Sequence, residues 1–355
     1  MVDFTLTAPP DSSATSQTRQ LAMERMERRL AGLLQEEETY WRNLNPDSAE
    51  VIGSVARVVE SGGKRLRPAF CISGYLAAGG VAEADDVVDV AAALELLHAF
   101  ALLHDDVMDA SELRRNQPTA HVVHTDLHRQ RSWRGEPRRY GESVAVLAGN
   151  LAFVYANRLL SSCSPAVLRI WGELCTELMV GQFLDIRAAA RFQPDPELAR
   201  WIALFKSGRY TIQQPLCLGA ALAGNSGLSR TFEEYGLAVG EAFQLRDDLL
   251  DVFGDPRLTG KPAKLDFEQN KMTLLMSFAM ADSQEVAAAI GDDLSAIPPQ
   301  ELADLLARAG VRDRVEAVIK ERVETARAVV ERAGVDPVWA AELSAMAEAA
   351  AYRDR

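Results

Sequence analysis

Apolar residues recur at helical spacing along nearly the whole chain. Leu21, Met26, Leu30, Leu33 and Leu34 share one face and predict a first helix ending near Asn43. Asp47 is placed to cap a second helix, which Gly62-Gly63 closes. The same period predicts helices around 68–79, 84–109, 141–161, 165–190, 196–222 and 228–254. Alternation at a period of two, sustained over a strand length, is not found. Short breaker clusters such as Asp255-Pro256 and Pro298-Pro299 separate the helices. The central helices are apolar nearly all round, as buried helices are. The pattern predicts a single large all-α domain over 17–355, preceded by a disordered Ser/Thr/Pro-rich tail over 1–16.

Composition narrows the class. The chain has 355 residues, with 38 basic and 51 acidic side chains and a net formal charge of −13. An acid excess argues against a general nucleic-acid binder, which needs a basic face. Cys71, Cys163, Cys175 and Cys217 lie far apart without a CxxC pair, as expected of a cytoplasmic protein without a disulfide scaffold. The most apolar stretch, Val87 to Leu103, carries Asp89, Glu95 and His98, so no membrane span is expected. The N-terminus lacks the basic and apolar regions of a secretory leader.

Two acidic clusters carry the chemistry. Asp105, Asp106 and Asp109 end one apolar helical run, and Asp247, Asp248 and Asp251 end another. On a helix, carboxylates at i and i+4 stack on one face, where like charges repel. A hard divalent cation resolves that repulsion, and Mg2+ binds through one or two carboxylates plus substrate phosphates. One such cluster is as well explained by a solvated helix end; two copies of DDxxD are not. All five histidines fall between His98 and His128. His121, His124 and His128 have a spacing that also suits zinc, though no HExxH accompanies them. His98 and His104 flank the first cluster, where each is either a core histidine or a donor to a phosphate.

Cations accompany the acids. Ser61-Gly-Gly-Lys-Arg-Leu-Arg-Pro68 joins two helices, with Lys64 and Arg67 near a helix start, as in an anion site. Arg114 and Arg115 follow the first cluster, and Gly260-Lys261 and Lys271 follow the second. Lys206 precedes Ser207-Gly208 inside a helical pattern where glycine marks a kink. The later arginines of the stretch Arg114–Arg139 read as a solvated loop.

With both DDxxD motifs, GGKRLRP and RRxxPT in this order, the sequence resembles the trans-type polyprenyl diphosphate synthases over roughly residues 47–275, and among them the geranylgeranyl diphosphate synthases. The resemblance implies an antiparallel helical barrel, usually a homodimer. In it two aspartate motifs face each other across a cavity and bind three Mg2+ with the allylic diphosphate. By motif position Asp105, Asp106, Asp109, Asp247 and Asp251 are the implied metal ligands, with Asp248 in support. Lys64, Arg67, His98 and Arg115 are implied to hold isopentenyl diphosphate. Arg114, Lys206, Ser207, Gln244, Lys261 and Lys271 are implied to hold the allylic diphosphate. Gln182 and Asp185 of GQFLD match a further family motif. Asn116, Ser207, Asn150 and Lys264 stand where the family usually has Gly, Thr, Asp and Gly.

Along the helix, Ala101 and Phe100 lie four and five residues before Asp105, about 6–8 Å below the metals at 1.5 Å per residue. In the family, an aromatic there with no insertion in the first motif resembles the twenty-carbon synthases. Phe100 is therefore expected to floor the cavity and Ala101 to leave room. Farnesyl or longer products are the alternative. Two other classes remain: a class I terpene cyclase, which normally carries an Asn/Ser/Glu second motif, and a non-catalytic regulatory subunit, which usually loses part of an aspartate motif.

Overall fold

A computed structural model describes residues 13–192, 195–254, 271–291 and 297–353. Its helices are α1 (Ser13–Leu44), α2 (Ala49–Glu60), α3 (Leu66–Ala77), α4 (Asp85–Met108), α5 (Ala120–Gln130), α6 (Pro137–Leu159), α7 (Pro165–Arg191), α8 (Pro196–Ile202), α9 (Gln214–Leu222), α10 (Ser229–Phe253), α11 (Leu274–Asp282), α12 (Gln284–Ile290), α13 (Pro299–Arg308), α14 (Val311–Arg332) and α15 (Pro337–Ala351). Ala203–Gln213, between α8 and α9, is a π-helix. The only strands among the described residues are β1 (Leu113–Arg114) and β2 (Gln117–Pro118), an antiparallel pair.

The helices end where local chemistry stops them. Glu136, Asp195, Thr273, Ser283 and Asp336 each accept a backbone N–H at the start of α6, α8, α11, α12 and α15. Three expectations need correction. Asp47 does not cap α2: the Asn45 side chain caps a 3-10 turn at Pro46–Ser48, from which α2 continues. The expected helix over 196–222 is three segments, because its middle winds as a π-helix. The basic stretch after Arg115 is not one loop. Arg129 lies in α5 and pairs with Asp126, while Arg138 and Arg139 begin α6 and Arg138 pairs with Glu142. In addition, α1 starts at Ser13, inside the segment expected to be tail.

The chain divides into two compact units. One comprises Arg19–Ile72 and Ala82–Ser164. Its centre is α4, buried along most of Val87 to Leu103, with Ile52 and Val55 of α2 also in the core. The small side chains Ala145, Ala148, Ala152 and Ala156 on one face of α6 let that helix pack closely in this core. By length and composition α4 could cross a membrane, but 72% of its most apolar 18-residue stretch is buried inside the protein, as in a core helix.

The other unit comprises Ser73–Val81 and Pro165–Arg355 with the first residues to Thr18. Its core gathers Leu245, Leu249 and Val252 of α10 with Leu275 and Met276 of α11 and Val315 and Ile319 of α14. Two partly buried charge contacts brace it: Glu241 of α10 accepts from Arg200 (3.0 Å) and Arg322 (2.8 Å), and Arg246 grips Glu316 through two nitrogens (2.9 and 2.7 Å).

Candidate active site

At the end of α4 the three aspartates part company. Asp105 and Asp109 lie one turn apart, and Asp106 lies about 100° round the helix. The Asp106 side chain is 4% exposed, and its Oδ1 accepts from Arg114 Nε (2.8 Å) and Nη2 (2.7 Å). The same Nη2 stands 3.5 Å from Asp105 Oδ2. Burial pushes the Asp106 carboxyl up, and Arg114 only partly opposes it. Burial would lower the Arg114 guanidinium, but Asp106, Asp105 and Asp109 outweigh it and raise it.

The β1–β2 hairpin brings Arg114 back onto this helix end. Its turn residues Arg115 and Asn116 have φ of 51° and 60°. Two successive left-handed residues make the tight turn that matches strand twist, and Asn tolerates that conformation almost as Gly does. Asn116 therefore serves where the family pattern has glycine.

Arg115 points the other way, to the glycine loop. Its Nη1 donates to Ser61 Oγ (3.1 Å), and a Cβ at Gly63 would lie 2.9 Å from its Nη2. Gly63 is required by its backbone, whose φ of 149° side-chain-bearing residues rarely adopt. Desolvation, then the charges of Arg67, Arg114, Arg115 and Arg65, push His98 well below the usual imidazole range. The arginines named here therefore bring positive charge to the neighbourhood of His98, as a site for a polyanion needs. Arg65 was not singled out from sequence. It pairs with buried Glu95 (2.5 Å) and donates to Val59 O (2.8 Å), so it fixes the loop. Lys64 and Arg67 flank it, Arg67 in the first turn of α3.

Below the aspartates, the Phe100 ring lies 4.6 Å from the His104 ring and 5.3 Å from Phe153 of α6. His104 Nε2 is 3.0 Å from Val146 O, and its ring occupies the space that a Cβ on Gly149 would fill. Ala101 is half-buried, and Asn150 sits on the exposed face of α6. The three histidines of zinc-like spacing take separate partners: His121 with Thr119 (3.1 Å), His124 with Ser54 (2.8 Å), and His128 with Arg134 O (3.1 Å).

In the other unit, the end of α10 repeats the division. Asp248 is buried: Oδ1 accepts from Gln244 Nε2 (2.8 Å) and Oδ2 from Leu275 N (3.1 Å), at the start of α11. Asp247 is 48% exposed and pairs with the Arg353 guanidinium, which stacks on Phe243 at 3.9 Å. Asp251 shares the Asp247 face, one turn on. Arg353 was missed from sequence: nothing about a basic residue next to the chain end marks it as a partner of α10. The π-helix carries Lys206, whose Nζ donates to Asp185 Oδ2 of the GQFLD motif at 2.5 Å. Its Arg209, also missed, grips Glu177 through two nitrogens (2.9 and 2.6 Å). Gln182 lies one turn before Asp185, Ser207 is partly buried beside Lys206, and Lys271 is partly buried ahead of α11. Lys261 and Lys264 lie outside the described residues.

The donor set fits a hard divalent cation. Asp105 with Asp109, and Asp247 with Asp251, offer carboxylates one turn apart, with no thiolate in either motif. Among the described residues no three His, Cys, Asp or Glu side chains gather into a cage. Magnesium needs none, because water and substrate phosphates complete its shell.

Comparison with known proteins agrees. The family model "Polyprenyl synthetase" matches residues 49–303. Geranylfarnesyl diphosphate synthase of Aeropyrum pernix is 30% identical over 302 residues, spanning 82% of this chain and 89% of that protein. The (2E,6E)-farnesyl diphosphate synthase of Mycobacterium tuberculosis is 30% identical over 305 residues, spanning 80% and 78%. The crystal structure of geranylgeranyl pyrophosphate synthase from Corynebacterium glutamicum, complexed with isoprenyl diphosphate and magnesium, matches with a TM-score of 0.87 at 33% identity, covering 96% of this chain and 99% of that one. Their names agree on the reaction type and differ in product length. The chain therefore belongs to the polyprenyl synthetase family, with its all-α fold, and is a trans-prenyltransferase.

Proposed function

We propose that this enzyme condenses isopentenyl diphosphate head-to-tail with an allylic diphosphate and releases geranylgeranyl diphosphate. The observation that carries the reading is the repeated helix end. Both DDxxD motifs turn their second aspartate inward and keep the first and fifth together on another face, beside Arg114 in one case and Arg353 in the other.

In this reading Asp105, Asp109, Asp247 and Asp251 would hold three Mg2+; Asp106, implied as a ligand by motif position, turns inward and instead holds Arg114, and Asp248 braces α10. Magnesium, when bound, neutralises charge on the departing diphosphate. Lys64, Arg67, His98 and Arg115 hold isopentenyl diphosphate. Arg114, Lys206, Ser207, Gln244, Lys261 and Lys271 hold the allylic diphosphate. Lys206 donates to an oxygen whose negative charge grows as the carbon–oxygen bond breaks. The isopentenyl double bond attacks the allylic cation, and the proton then lost goes to the released diphosphate. Apolar side chains exclude water, which would quench the cation to an alcohol. Phe100, braced by His104 and Phe153, stops the growing chain at twenty carbons. A homodimer belongs to the proposal: α6 exposes Leu147 and Val154, and α7 exposes Met179 and Phe183, faces that suit a second copy.

The test is incubation of the purified chain with labelled isopentenyl diphosphate, Mg2+ and each allylic primer in turn, with products sized by chromatography. Geranylgeranyl diphosphate as the main labelled product supports the proposal. No incorporation refutes prenyl transfer, cyclic hydrocarbons point to a cyclase, and a different chain length removes Phe100 as the floor.

A further inference from the structure

The π-helix carrying Lys206 is held between two helices at points where only glycine fits. A Cβ on Gly181 of α7 would lie 2.9 Å from Lys206 N and 3.0 Å from its Cα. A Cβ on Gly240 of α10 would lie 2.5 Å from Gly208 Cα, and one on Gly208 would lie 2.9 Å from Gly240 Cα. A Cβ on Gly236 would lie 2.5 Å from Gln213 Cα. These are contacts of backbone with backbone, which no side-chain rotation can relieve.

Helix propensity offers no reason for these glycines, since alanine is preferred at every interior helix position. Their arrangement does. Gly181 and Asp185 are one turn apart on α7, so the glycine meets the Lys206 backbone while the aspartate receives its ammonium. Gly236, Gly240 and Gln244 fall on one face of α10, and Asp247 and Asp251 continue that face. The Gly208–Gly240 contact therefore fixes, through the α10 backbone, where Lys206 stands relative to the second aspartate motif. A wide i→i+5 turn, such as commonly marks functional sites, is clamped on both sides within two residues of the lysine.

We propose that Gly181, Gly208 and Gly240 are positioning residues for Lys206. They touch no substrate. They set the π-helix at the separation from α7 and α10 that puts the Lys206 ammonium in place for the diphosphate. The inference rests on the function proposed above for Lys206, and its test is built to fail separately from that reading.

The variants are Gly181→Ala and Gly240→Ala, with Gly172→Ala as the control: Gly172 is also on α7 and has nothing within 4 Å. Two measurements are made on the full chain. One is steady-state kinetics per folded molecule. A displacement of about 1 Å is expected to lower kcat by about 10- to 100-fold, while KM for isopentenyl diphosphate changes by less than about threefold. The other is 13C NMR of the reductively dimethylated lysines, of which the chain has six, with Lys206→Arg assigning the Lys206 signal. Its chemical shift is expected to move in both glycine variants and to stay fixed in Gly172→Ala.

Lost turnover with a moved Lys206 signal supports positioning. Lost turnover with an unmoved signal overturns it, as does full activity in both variants. If Gly240→Ala does not fold, Gly181→Ala decides, since its contacts are the looser. If the wild type incorporates no isopentenyl diphosphate, the functional reading falls, and the NMR measurement alone still decides whether the glycines place the lysine.

Discussion

Arg114 is expected to support the protein as well as its substrate. Its guanidinium is bonded through two nitrogens to one oxygen of Asp106, a side chain 4% exposed, and stands 3.5 Å from Asp105. At 2.7 Å and an effective dielectric of about 20, the Coulomb attraction of such a pair is about 6 kcal/mol. Much of that offsets the desolvation of both charges. Removing one partner, however, leaves the other charge buried and uncompensated, at a cost of about 3–5 kcal/mol. Arg114→Met should therefore destabilise the metal-free protein by about that amount. Asp106→Asn should cost less, about 1–2 kcal/mol, because Arg114 keeps Asp105 and Asp109 nearby. The double variant should lie close to Asp106→Asn alone, giving a coupling energy of at least about 2 kcal/mol. Urea unfolding followed by circular dichroism at neutral pH measures all four corners of the cycle. Additive effects, or a loss below about 1 kcal/mol in Arg114→Met, would refute the view that Arg114 is held in place by Asp106 before any diphosphate arrives.

Other expectations follow from single contacts. Arg353→Ala removes the cation on Asp247; a half-exposed pair is worth about 1 kcal/mol, so the Mg2+ concentration for half-maximal activity should fall about fivefold, and a rise would show Arg353 to be a helper of the metal rather than its competitor. His124 is buried beside Ser54 and Arg57, and burial pushes its pKa down to about 4. Depressed from about 6.5, it favours the fold fully above that value and loses the contribution as pH falls toward 4, about 2 kcal/mol by pH 5. His124→Gln should flatten the stability profile over that range, and an unchanged slope would clear the histidine. Phe100→Ala should lengthen the products, and an unaltered chromatogram would count against Phe100 as the floor. Arg115→Met removes a guanidinium that donates to a serine hydroxyl; it should raise KM for isopentenyl diphosphate more than tenfold with little change in urea midpoint, and a large stability loss would make it structural instead.

The helices were legible because burial imposes a 3.6-residue period, and α4 shows it in the limit where apolar residues occupy nearly every side. The turn at Asn116 was legible too, since few residues besides Gly and Asn accept a positive φ. The π-helix was not: eleven residues wound i→i+5 differ from an α-helix in hydrogen bonding, and their residue types carry no mark of it. Nor were Lys206–Asp185, Arg209–Glu177 or Arg353–Asp247, because each joins positions that only tertiary packing brings together.

The inward turn of Asp106 and Asp248 is different, because helix geometry alone implies it. In D-D-x-x-D the first and fifth residues stack, and the second sits about 100° away. If the stacked pair faces a ligand, the second aspartate faces protein, where a carboxylate persists only with donors of its own. The two motifs meet that demand differently. Asp106 receives a guanidinium from the hairpin that follows its helix. Asp248 receives an amide from its own helix and the backbone N–H of Leu275. The first contact ties the aspartate to a hairpin arginine, and the second ties it to the first turn of α11. Removing the second aspartate should therefore disturb an arginine's position at α4 but the docking of α11 at α10, so Asp106→Asn should act mainly on substrate affinity and Asp248→Asn mainly on stability. Equal stability losses in the two variants would refute that asymmetry.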